Sequence, residues 1–212
     1  MEHDFWQERW ATNQIAFHEP EPHPFLRAHI ARLGLTPGDT VFLPLCGKSL
    51  DMDWLIGEGL RVVGIELNQG AVEEVFDRLR LAPERQAFGG LQRLQAGSLT
   101  LYIGDFFALT AEELGAVQGV FDRASLVALP DELRRRYAPH LVSLAVKAPM
   151  LTMTYDYPQE QTPGPPFAIP FDQVAALYAD THIAERLEIR AITGPLAQRC
   201  EGDEIALLLA PR

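Results

Sequence analysis

Residues 41 to 55, VFLPLCGKSLDMDWL, decide the fold. An apolar run reaches Leu45, a single glycine stands at 47 with Lys48 and Ser49 behind it, and a helical pattern begins at once. This reads as a buried strand turning into a helix. In an open α/β sheet, ligands sit outside the carboxyl ends of the strands, where the first strand meets the first helix. The chemistry of this turn therefore bears on the ligand. The GKS triplet suggests a phosphate loop, but that loop needs a glycine five positions before the GKS glycine, and Phe42 stands there. A dinucleotide fingerprint needs three glycines at G-x-G-x-x-G, so that a pyrophosphate can approach the backbone. Leu45 and Leu50 occupy its outer two positions around Gly47.

The same alternation runs outward from this stretch. Strand candidates, rich in β-branched or apolar residues, lie at 40–45, 61–67, 99–103, 119–121, 150–155, 184–192 and 204–209. Helix candidates lie between them at 49–57, 71–81, 131–144 and 171–179. The rhythm predicts an α/β fold with a mostly parallel sheet and helices on both faces. The last two strand candidates are joined by about a dozen residues without a helical pattern, so they are expected to pair antiparallel. With no internal repeat and no linker, residues 1 to 212 are expected to form one domain. Two segments break the rhythm: the first 35 or so residues, rich in aromatics and histidine, and Pro158 to Pro170, with five prolines. Both are expected to act as lids, the second as an acceptor loop.

Composition excludes several classes of function. The chain has 212 residues, 47% of them hydrophobic, enough for a sizeable core. A formal charge of −11 argues against nucleic acid or an anionic membrane as partner, because each needs a basic face. A small-molecule ligand and a monomer are expected. The N-terminus, MEHDFWQERW, carries acids and aromatics where a secretion signal would be basic and apolar, which points to the cytoplasm. Cys46 and Cys200 cannot form a disulfide framework and lack the spacing of a metal site.

A third ligand chemistry suits the turn: a cofactor without phosphate there, its amino-acid end against the turn and its ribose held by an acid at the end of the second strand. Glu66, 19 residues after Gly47, supplies that acid close to the ~20 residues expected for ribose recognition. S-adenosylmethionine is such a cofactor. Each residue also has an ordinary reading. Glu66 could be a solvated strand end, Asp105 in YIGDFF a turn former, and Arg123 in VFDRASL a counterion to Asp122. Their convergence, at three successive strand ends on one edge of one sheet, favours a site.

The chain resembles the thiopurine S-methyltransferase family, particularly its bacterial branch. The matching segments run through nearly its whole length in the family's order: FWQERWATNQIAFHE (5–19), VFLPLCGKSLDMDWL, VVGIELNQGAVEEVF (62–76), GDFFALT (104–110), FDRASLVALP (121–130), RRYAPHL (135–141) and GPPFAIP (164–170). Asn68 departs from the family's usual serine, and YDYPQEQTPGPPF is longer and richer in proline than the usual run. The resemblance implies a seven-stranded class I methyltransferase fold with an N-terminal lid, in which a methyl group moves from S-adenosylmethionine to a sulfur or related chalcogen acceptor such as a selenium or tellurium species. By that match Trp10, Leu45, Glu66 and Arg123 fall on cofactor-binding positions. Trp10 can offer its π face to a sulfonium cation; its ordinary reading is a core residue sharing a helical face with Trp6.

Phe17, His18 and the Pro165-Pro166-Phe167 run are candidates for the acceptor pocket, with Arg199 as a weaker one. Phe17 would stack on a flat acceptor; His18 reads more readily as a structural hydrogen-bonding group than as a base. Arg123 can grip a carboxylate or steady an anionic acceptor. An aromatic thiol ionises easily and its thiolate is the reactive form, so no strong general base is required. Two other classes stay open on the sequence: a protein that sequesters chalcogen compounds without turnover, and a nucleotide-dependent oxidoreductase, against which the missing glycines count.

Overall fold

A computed structural model describes residues 3 to 15 and 17 to 212, without the side chains of His3 and Phe88. In chain order the elements are α1 (His3–Ala11), α2 (Pro24–His29), β1 (Thr40–Leu43), α3 (Asp51–Gly57), β2 (Arg61–Glu66), α4 (Gln69–Arg78), β3 (Glu84–Phe88), β4 (Leu91–Ala96), β5 (Leu99–Ile103), α5 (Ala111–Leu114), β6 (Gly119–Asp122), α6 (Asp131–Leu144), β7 (Met150–Asp156), α7 (Phe171–Tyr178), β8 (His182–Ala191), α8 (Gly194–Ala197) and β9 (Asp203–Pro211). All strands join one sheet in the order β3-β4-β5-β2-β1-β6-β7-β9-β8. Its centre, β5-β2-β1-β6-β7, is parallel, and β9 enters antiparallel to both β7 and β8. The expected seven strands are therefore present and correctly oriented, but the sheet has nine.

The two additional strands form a hairpin, β3–β4, turning at Gly89 and Gly90, with Gly89 at φ +58°. Only Leu91 and Leu94 of β4 are buried. The described side chains of β3, at 84 to 87, are exposed, so there is little apolar alternation to read. The Gly-Gly pair was the local sign of a hairpin.

Alternation along the central strands builds a core on each face of the sheet. Val41 and Leu43 of β1 point to one side with Met52 and Leu55 of α3 and Val72 and Val75 of α4; Phe42 points to the other with Tyr137 and Leu141 of α6. The expectation of a lid over residues 1 to 35 needs correction at its far end. Phe25 and Leu26 of α2 are fully buried in the first of these cores, packed there because Pro24 starts a helix that His23 caps through Nδ1, 3.2 Å from the Phe25 N–H. Only residues up to about 23 remain available as a cover, and residues 1, 2 and 16 of that segment lie outside the described residues.

β1 has β2 on one side and β6 on the other, so the crossovers leave in opposite directions from its carboxyl end. That divergence opens the crevice.

Candidate active site

The turn after β1 carries two residues with left-handed backbone, Leu45 at φ +46° and Gly47 at φ +54°. A non-glycine residue held at positive φ costs roughly 1–2 kcal/mol, and the surrounding hydrogen bonds fix it. Cys46 donates its N–H to the Ile65 carbonyl at 3.0 Å, which ties the turn to β2. Gly47 donates to Glu66 Oε2 at 2.9 Å, and Asn68 donates to Glu66 Oε1 at 2.8 Å. One buried carboxylate thus joins the turn after β1 to the turn after β2. Burial raises the Glu66 pKa, while the N–H groups of Asn68, Gly47 and Leu67 pull it back.

Gly47 also meets α1. A Cβ at this position would lie 3.5 Å from the Trp10 indole, so the ring rests on the turn, with Lys48 Nζ 5.7 Å from its centroid. The helix is anchored by Gln7, which donates to the Leu67 carbonyl at 3.3 Å and accepts from Asn68 Nδ2 at 2.7 Å. Asn68 meanwhile caps α4, its Oδ1 accepting the Ala71 N–H at 2.9 Å. The residue that departs from the resembled family is thereby a two-sided connector between α1 and the start of α4.

Arg123 follows β6 and faces the same crevice. Its Nη2 donates to the Phe17 carbonyl at 3.1 Å and pairs with Glu19 at 3.0 Å; its Nη1 lies 3.4 Å from Ser49 Oγ and from Asp51 Oδ2. Burial disfavours its charge, but Asp51 and Glu19 outweigh that and hold its pKa above the ordinary value. Asp51, almost fully buried, also accepts the His23 N–H at 2.7 Å. Arg123 and Asp51 together moor residues 17 to 23 to the start of α3.

These groups open onto one cavity of about 440 Å³. Its volume is in the range of small-molecule sites. Trp10, Leu45, Glu66 and Arg123 line it, as do Phe17, His18, Pro166 and Arg199. Phe17 meets Trp10 and Trp6 edge-on at 5.4 and 5.8 Å. The pKa of His18 is lowered first by burial and then by Lys48, Arg78 and Arg123, with Glu74 opposing. Phe167 is a correction: it does not line the cavity. Its ring packs on Gly164 and lies 5.7 Å from the Arg134 guanidinium, and its N–H is spent on the Val127 carbonyl at 2.7 Å. Pro165 and Pro166 face the cavity in its place. Asp105, at the end of β5, lines it too and accepts the Phe107 N–H at 3.0 Å. No cluster of His, Cys, Asp and Glu able to hold a metal occurs among the described residues.

The family model for thiopurine S-methyltransferase (TPMT) matches residues 1–203. The chain belongs to the thiopurine S-methyltransferase family. The thiopurine S-methyltransferase of Xanthobacter autotrophicus is 46% identical over 210 residues, covering 99% of each chain. That of Gluconobacter oxydans is 42% identical over 207 residues, covering 98% of this chain and 94% of the other. Among solved structures, the fold is similar to that of the Burkholderia thailandensis 1,6-didemethyltoxoflavin-N1-methyltransferase bound to S-adenosylhomocysteine, at TM-score 0.65 and 12% identity, covering 98% of this chain and 87% of that one. A SAM-dependent methyltransferase from Anabaena variabilis is similar at TM-score 0.63 and 14% identity, covering 99% and 95%. The fold is that of the class I methyltransferases, with S-adenosylmethionine as cofactor.

The thiopurine S-methyltransferase frame fits that cofactor on its own chemistry. Glu66 spends one lone pair per oxygen on backbone N–H groups and keeps others able to accept hydroxyl donors such as those of a ribose. Gly47 leaves the turn low under Trp10, whose face suits a cation. Sequence reasoning missed Gln7, Arg9, Asp51, Phe107, Arg136 and Tyr155. Of these, Asp51 had a signal: it stands two residues after a serine at a helix start, the place where an acid caps or favours the first turn.

Proposed function

We propose that the chain methylates the sulfur of thiopurines and related aromatic or heterocyclic thiols, Trp10, Leu45, Glu66 and Arg123 serving the cofactor and Phe17, His18, Pro166 and Arg199 the acceptor. The observation that carries this reading is the single cavity, in which the acid after β2, the arginine after β6 and the indole over Gly47 meet an aromatic and proline wall. When bound, S-adenosylmethionine supplies an electrophilic methyl group on a sulfonium sulfur, so an ionised acceptor needs no base. Glu66 fixes the two turns and the ribose position. Arg123, already balanced by Glu19 and Asp51, holds residues 17 to 23 across the cavity and keeps one more positive field near an acceptor thiolate. Phe17 and the prolines orient a flat ring and exclude water.

The reading includes a small-molecule acceptor, a cytoplasmic location and a monomer, supported by the acidic composition. No helix among the described residues is long and apolar enough to cross a membrane.

The test is transfer of labelled methyl from S-adenosylmethionine to a thiopurine and to two thiophenols of different acidity, across pH. The expected rate midpoint follows each thiol's own pKa. Binding without transfer would leave a sequestering protein, and a midpoint that stays fixed between thiols but moves in His18→Ala would make His18 the base.

A further inference from the structure

The cavity contains more positive charge than the methyl transfer itself uses. In a chain of net charge −11, Arg9, Arg136 and Arg199 all line it, and among the described residues none of the three has a carboxylate at ion-pair distance. Arg136 and Arg199 are exposed. The first lies 4.7 Å from the Phe107 ring centroid, and the second donates to Thr162 Oγ1. Arg9 differs from both. It is half-buried on α1, its guanidinium rests 4.7 Å from the Phe5 centroid, and its Nε is shut off from solvent with no hydrogen-bond partner among the described residues.

A buried, unpartnered guanidinium N–H loses its hydration and gains nothing in return. Arg9 nevertheless lines the cavity, and the planar fork of its guanidinium suits a carboxylate or phosphate. The sulfonium end of the site does not call for it: that end presents Trp10, Glu66 and an arginine already paired twice. We infer that Arg9 is a specificity-determining residue that selects acceptors bearing a second anionic group, a carboxylate or phosphate on the aromatic ring, in addition to the reacting thiolate. Arg136 and Arg199 add to the same positive field from the exposed rim. This rests on the reading of the cavity as a thiol acceptor site.

The experiment compares para-mercaptobenzoate with its methyl ester in the full chain at saturating S-adenosylmethionine, above the pKa of both thiols. Wild type is expected to favour the acid, and Arg9→Gln to lower the acid-to-ester ratio of kcat/KM by about tenfold, the scale of one lost charge-assisted hydrogen bond. Arg9→Lys should restore part of the ratio, and circular dichroism confirms that each variant is folded. Calorimetric titration with the methylthio analogue of the acid and of its ester, neither of which can react, should show the same gap closing in Arg9→Gln. An unchanged ratio in Arg9→Gln, or a raised KM for S-adenosylmethionine with the ratio intact, would overturn the inference and assign Arg9 to structure or to the cofactor. Methylation of the ester with no preference for the acid in wild type sinks this inference alone. Methylation of neither thiol removes the underlying reading and the inference with it.

Discussion

Asp122 offers a test in which sign and size both follow from its surroundings. It ends β6, is fully buried, and accepts the Tyr137 hydroxyl at 2.9 Å and the Leu126 N–H at 3.3 Å. Those bonds shape the turn that carries Arg123, including Ala124 at φ +61°. Burial raises its pKa from 3.8 to about 6, against the pull of those two donors. A raised folded-state pKa means that the folded protein holds the proton more tightly than the unfolded chain. Its stabilising effect is complete below the unfolded value and is lost as pH rises towards 6. At about 1.4 kcal/mol per pKa unit, the loss is on the order of 3 kcal/mol. Asp122→Asn removes the titration and keeps the geometry: the amide oxygen can accept from Leu126, and its NH₂ can donate to the Tyr137 oxygen, since a phenol both gives and takes. Urea unfolding of both proteins between pH 3.5 and 7.5 should therefore show wild type losing about 3 kcal/mol relative to the variant, with most of the change between 3.8 and 6. Parallel stability curves, or a wild type that gains on the variant with rising pH, would refute the account.

Glu66→Gln places an amide NH₂ against one of the two N–H groups that the carboxylate now accepts, so stability should fall by about 2–4 kcal/mol and the affinity for S-adenosylmethionine by at least tenfold, read by thermal unfolding and titration calorimetry. An unchanged affinity would detach Glu66 from the cofactor. Asn68→Ser keeps a capping oxygen for α4 but cuts the bond to Gln7. The melting temperature should hold within about 3 °C while KM for S-adenosylmethionine rises a few-fold, and an unaltered KM would show that α1 needs no such anchor.

Sequence reading reached the cofactor side of this molecule further than the acceptor side, for a physical reason. The turn after β1, Glu66 and Arg123 sit at the ends of neighbouring parallel strands, and sheet register alone places them together: Leu43 pairs with Gly64 and Phe42 with Val120. A strand run followed by a turn residue reveals such positions without any long-range contact being known. The β3–β4 hairpin escaped because it lies at the sheet edge and, among its described side chains, buries only two leucines of β4. The acceptor wall escaped differently. It is assembled from α1, the segment after β5, the proline loop and the segment around α8, and no register relates these.

Within such a wall, neighbours in sequence part company. Pro166 faces the cavity while Phe167 turns to Gly164, and Arg9 faces it one residue before the indole that covers Gly47. What couples the two halves is Arg123, whose bond to Phe17 spans 106 positions. The strand ends are bound by backbone register and the Glu66 bridge, so loops on the acceptor side can change without disturbing the frame that holds the cofactor. That separation lets the long proline run depart from the family's usual pattern while the Glu66 bridge stays in place, and it leaves side chains like Arg9, which the sheet does not fix, to carry the proposed selectivity among acceptors.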